Sequence, residues 1–96
     1  MGWEDWLRFV TCEIYKAWGG DCKNLGGEPT VWINTVTAEL EANGAPTFAD
    51  QAAEDAFLDL LSQLETGLQS PNNTLAQADT DRLKVFIDTL RSLINP

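Results

Sequence analysis

The sequence predicts an all-α fold, a compact bundle of about four amphipathic helices, and three observations carry that expectation. Apolar residues recur at spacings of three and four along most of the 96-residue chain. Clusters of Gly, Pro and Asn separate the periodic stretches and leave only short connections. At 44% hydrophobic and 22% charged, the composition is that of a globular chain, not a disordered one. The length suits one domain, residues 1–96, with a single modest core.

In the first element Trp3, Leu7, Val10, Ile14 and Ala17, with Trp18 beside them, form a helical stripe that Gly19-Gly20 ends. The loop from Asp21 to Gly27 is rich in residues that permit positive φ. Thr30 to Thr37 is rich in β-branched residues, so residues 30–37 read either as a short strand or as helix. Helix is preferred, because Glu28-Pro29-Thr30 suits a first turn, Ile33, Val36 and Leu40 share one face, and Asn43-Gly44 supplies a stop.

Thr47-Phe48-Ala49-Asp50 has the form of a capping box with Asp in place of Glu and is expected to open the third helix. Its apolar face comprises Ala49, Ala53, Ala56, Phe57, Leu60, Leu61, Leu64 and Leu68, with Gly67 and Ser70-Pro71-Asn72-Asn73 closing it. A last helix, starting near Thr74 or Asp79, carries Leu83, Phe86, Ile87, Leu90, Leu93 and Ile94 on one side. The sequon Asn72-Asn73-Thr74 is better read as a loop with an N-cap than as a glycosylation site.

The composition argues against catalysis. There is no histidine, which removes the commonest general base and metal ligand and leaves Cys12, Cys22, Ser62, Ser70 and Ser92 without an imidazole to activate them. Neither Asp79-Thr80-Asp81 nor Glu39-Leu40-Glu41 continues into a calcium loop, and two cysteines without histidine do not make a zinc site. No metal or cofactor is therefore expected. A Cys12–Cys22 disulfide is geometrically possible, since the helical rise from residue 12 is matched by the reach of the returning loop. Reduced thiols in a cytoplasmic protein are the preferred reading, because the start Met1-Gly2-Trp3-Glu4-Asp5 lacks the features of a signal peptide.

Charge narrows the partners. Fifteen acids against six bases give a net charge of −9 and repel phosphate backbones and anionic lipid, so neither nucleic acid nor membrane is an expected direct partner. From Asn24 to Asp81 there is no Lys or Arg, while Glu39, Glu41, Asp50, Glu54, Asp55, Asp59 and Glu65 all fall inside. Asp50 with Glu54 and Asp55 with Asp59 stand four apart, a like-charge spacing that a helix disfavours. A protein partner with a basic surface would explain that arrangement, and solubility alone is the competing explanation.

Trp3 and Trp18 lie on the first stripe and are expected in the core. Phe9 lies off it, so the 22–27 loop either covers it, through Leu25, or leaves it for a partner. Trp6 and Trp32 stand at the boundary as candidate contact anchors. These residues and the acids together suggest a non-enzymatic inhibitor or immunity-type protein that occupies a basic, even nucleic-acid-binding, surface of its target. Acidic phage inhibitors of the anti-CRISPR kind and immunity proteins against basic nucleases exemplify that class, by analogy of size, charge and helix content alone. The alternative is an assembly module that packs through an apolar helix face, as a homo-oligomer or in a larger complex.

Overall fold

Four α-helices account for the apolar periodicity: α1 (Trp3–Tyr15), α2 (Pro29–Asn43), α3 (Gln51–Leu68) and α4 (Gln77–Ile94). Two 3₁₀ turns, Lys16–Trp18 and Cys22–Leu25, flank Gly19 in the first connection. This computed structural model describes Gly2–Pro96, and among the described residues there is no strand. No described helix is long and apolar enough to cross a membrane.

The β-branched 30–37 stretch is helical because only a helix sorts it. Spaced along α2, Trp32, Ile33, Val36 and Leu40 bury one face together, whereas strand alternation would split Trp32 from Ile33. Pro29 occupies the first turn, where its missing N–H is not needed. Hydroxyls of Thr35 and Thr37 donate back to the carbonyls of Val31 (3.0 Å) and Ile33 (2.8 Å), which satisfies them within the helix. Gly44, at φ 68°, supplies the left-handed residue that stops it.

Two expected boundaries shift. Thr47 does not cap α3; the cap is Asp50, whose carboxylate accepts the Ala53 N–H at 2.8 Å, so the expected capping box is a single Asp cap. The last helix starts at Gln77, between the two expected points, after a loop organised by Asn73. The Asn73 amide donates to the Leu68 carbonyl (2.9 Å) and to Thr80 Oγ1 (3.2 Å), and its oxygen accepts the Leu75 N–H (2.9 Å). The sequon segment is thus a bracket between α3 and α4, and not an N-cap.

α1 packs on α3 and α2, and α4 packs on α2 and α3. Around the bundle the order is therefore α1, α2, α4, α3, with α2 and α3 across from one another. Thr30 donates to Asp79 (3.1 Å), and Arg82 donates to Asn34 and Thr37, so contacts advance together along α2 and α4 and the two helices run parallel. The 44–50 segment crosses the end of the bundle beneath Trp18. The Trp18 indole N–H donates to the Gly44 carbonyl at 2.8 Å, and its ring meets Phe57 edge-on and Phe86 at a tilt, each 6.2 Å between centroids. Phe48 continues the cluster, 5.2 Å from Phe57.

One core joins all four helices, built on Leu7, Ile14, Trp32, Ile33, Leu61, Leu64, Leu83 and Leu90 among others. Trp3 and Trp18 pack on it while half-buried. Ala49 and Ala56 are exposed and Leu60 only half-buried, so the buried stripe of α3 is narrower than its sequence suggests. Leu93, expected in the core, is 53% exposed. Gly67 does not end α3 but lies buried inside it, where the Trp6 ring rests: a Cβ there would stand 2.5 Å from Trp6 Cζ3 and 3.1 Å from Leu7 Cδ1.

The cysteines depart from the reduced pair preferred above. Cys12 and Cys22 form a disulfide, with Cα atoms 5.4 Å apart, and Cys12 is buried beneath the returning loop. That loop is also held by Arg8, which donates to the carbonyls of Gly26 (2.6 Å) and Cys22 (3.1 Å), and by Leu25, fully buried.

Replacing both cysteines by serine is expected to lower unfolding free energy by about 2–3 kcal/mol, as closure of a loop this short implies. Chemical denaturation of the oxidised protein and the variant measures it; reductant should move the wild type alone. Gly67→Ala would gain about 1 kcal/mol of helix propensity but must displace Trp6 and Leu7, which costs about 1–3 kcal/mol. A net loss of about 1 kcal/mol is expected from the same melts.

Candidate functional site

Placed on this frame, the predicted contact residues do not converge. Glu39 and Glu41 belong to α2, whereas Glu54, Asp55, Asp59 and Glu65 belong to α3 across the bundle and Asp50 caps it. These seven acids therefore fall at two separated corners, while the other acids stand on α1, α4 and the first loop. Several of the acids are also engaged within the fold. Asp50 caps α3, and Glu65 pairs with Arg91 at 2.7 Å while the same guanidinium reaches Ser62 Oγ at 3.3 Å.

Glutamine supplies the relief that lysine would otherwise give. The Gln51 amide donates to both Glu54 (2.8 Å) and Asp55 (2.9 Å), and Gln63 donates to Asp59 (2.9 Å). The Gln51 amide thus sits between two carboxylates and that of Gln63 serves one, without cancelling their charge. Four of the six cations, by contrast, are engaged within the fold. Arg8 holds the first loop, Arg82 ties α4 to α2, Arg91 ties α4 to α3, and Lys16 pairs with Glu13 at 2.9 Å. Among the described residues Lys23 and Lys84 alone of the six cationic side chains make no ion pair or side-chain hydrogen bond.

The three aromatic candidates part company. Trp32 is fully buried and is no contact anchor; its indole N–H meets no acceptor among the described residues. Trp6 is half-buried, its ring lying against Gly67. Phe9 is 58% exposed: the loop does fold back, but it seals Cys12 and Leu25 and leaves Phe9 outside, beside Asp5, Arg8 and the disulfide.

An apolar concavity lies elsewhere, between α2 and α4. It has a volume of about 400 Å³ and a floor of Leu40 and Phe86, with Val85 and Leu93 standing along one wall at 65% and 53% exposure. Thr37 and Thr89 line it too, and Glu41 on α2 and Asp81 on α4 stand at its margin. Arg82 also lies there, its guanidinium bound to Asn34 and Thr37 and 3.9 Å from Asp79.

Sequence reasoning missed this groove. The signal was present in Val85, an apolar residue off the Leu83–Phe86–Ile87–Leu90 face, followed at four-residue intervals by Thr89 and Leu93. Such a ridge continues the apolar face sideways and has no partner helix in the bundle. No cluster of three or more Cys, Asp or Glu side chains able to hold a metal ion occurs among the described residues.

The division between structural and free acids can be measured. Asp50→Ala removes the α3 cap and is expected to cost about 1 kcal/mol. Asp59→Asn keeps the shape and the Gln63 contact, so its effect should stay within about 0.5 kcal/mol in the same denaturation assay. Comparison with protein-family models, with curated proteins and with solved structures finds no match for this chain.

Proposed function

We propose that this chain is a non-enzymatic binding module that engages a protein partner through that partner's basic surface, in the manner of an inhibitor or immunity-type protein. The observation that carries the proposal is the asymmetry of charge use. Arginines are bound to carbonyls, amides and carboxylates inside the fold, whereas Asp55, Asp59, Glu41 and Asp81 stay at the surface without an ion pair among the described residues. The excess of acids, a net charge of −9, is thereby presented outward. Such a surface accelerates encounter with cations and excludes other acidic partners.

The Cys12–Cys22 bridge supports an oxidising compartment as the place of action in preference to the cytoplasm. Assembly of copies is the second reading, favoured by the exposed Val85 and Leu93. It would bring two chains of −9 together, which costs long-range repulsion.

Partners should be sought by affinity capture at 50 mM salt and identified by mass spectrometry, then measured one by one. For a true partner the Kd is expected to rise at least about tenfold between 50 and 300 mM salt, and the double variant Asp55→Lys/Asp59→Lys to weaken binding further. A Kd that is flat in salt and indifferent to charge reversal would remove the proposal.

A further inference from the structure

We propose, building on the basic-partner reading above, that the α2–α4 groove receives one amphipathic helix of that partner, with Lys or Arg flanking its apolar stripe. The groove's shape selects a helix. Its walls are two parallel helices whose backbone N–H and C=O groups are engaged in their own ladders, so an extended segment laid between them would find no partners for its backbone. A helix brings its own hydrogen bonds and needs only side-chain packing.

Length and spacing agree with that occupant. Val85, Thr89 and Leu93 recur every four residues and extend about 12 Å along α4, or roughly two helical turns. Ridges of this kind receive apolar side chains at i, i+4 and i+7 of a packing helix. Leu40 and Phe86 form the floor on which those side chains would rest.

Charge selects the flanks. Asp81 lies on the α4 wall at its N-terminal end, and Glu41 lies on the α2 wall near the end of that parallel helix. Neither has an ion pair among the described residues. The one cation at the margin, Arg82, is already bound across to α2. An occupant therefore meets an acid on each wall and a single cation whose donors are already engaged, a net negative margin beside an apolar floor, and a helix with cations on either side of its stripe is its complement.

The test uses a synthetic 15-residue helical peptide with Leu at 4, 8, 11 and 15 and Lys on both flanks, titrated into isotope-labelled protein. Amide shift changes are expected at Thr37–Glu41 and Asp81–Leu93, and the double variant Val85→Ser/Leu93→Ser should bind at least about tenfold more weakly. Both variant positions are exposed, and an unchanged thermal melt confirms that the variant is folded. A peptide with the same composition but no apolar stripe should not bind, and one with Glu replacing Lys should bind more weakly.

Shifts confined to α3, with binding unaffected by Val85→Ser/Leu93→Ser, would overturn the groove and leave the basic-partner reading standing. Equal binding of the Glu and Lys peptides in the groove would instead count against the basic partner. Failure of every peptide to bind overturns the proposal, as does light scattering that shows a dimer lost in the Val85→Ser/Leu93→Ser variant, since the occupant would then be a second copy.

Discussion

Trp18 is the point at which the chain becomes a bundle. It stands at the end of the first helical segment, yet its indole touches Phe57 of α3 and Phe86 of α4, and its N–H holds the Gly44 carbonyl that terminates α2. Gly44 must turn left-handed there, so that the 44–50 crossing can begin at the correct height. The crossing in turn delivers Phe48 against Phe57 and Asp50 to the start of α3. One side chain thus touches the end of α2 and the bodies of α3 and α4 at once, and ties the close of the first helical segment to all three.

The second organising device is the arginine set. Each guanidinium has planar donors that can serve two acceptors at once, and each is placed where two elements meet. Arg8 joins α1 to the 22–26 carbonyls, Arg82 joins α4 to α2, and Arg91 joins α4 to α3. Surface ion pairs contribute little energy individually. Their role here is orientation, with the disulfide adding covalent closure on the one loop that lacks a long helix behind it.

Helix number, order and the preference for helix over strand at residues 30–37 were legible, because periodicity records which side chains must be buried together. Boundaries were less so. Asp50 and Thr47 are both plausible caps, and the choice between them rests on where the crossing lands. Gly67 reads as a stop until Trp6 is seen to need its missing Cβ. The site was legible only as a quantity of charge. That α2 and α3 stand at opposite corners, that glutamines buffer the acids, and that Val85 and Leu93 lack a covering helix are products of tertiary packing, which no local pattern encodes.

The spread of acids over all four helices also governs approach. A molecule with all its negative charge on one face behaves as a dipole and turns that face toward a cation from afar. Here acids stand on all four helices, among them Glu4 and Asp5 on α1, Glu41 on α2, Asp55 and Asp59 on α3 and Asp81 and Asp88 on α4, so the field attracts a cation toward several faces and not toward one. A positively charged partner would be captured in many orientations, and the correct one must be found afterwards by short-range fit. The geometry of recognition is thus assigned to the apolar groove and the charges at its margin, while the remaining acids govern how often the search begins.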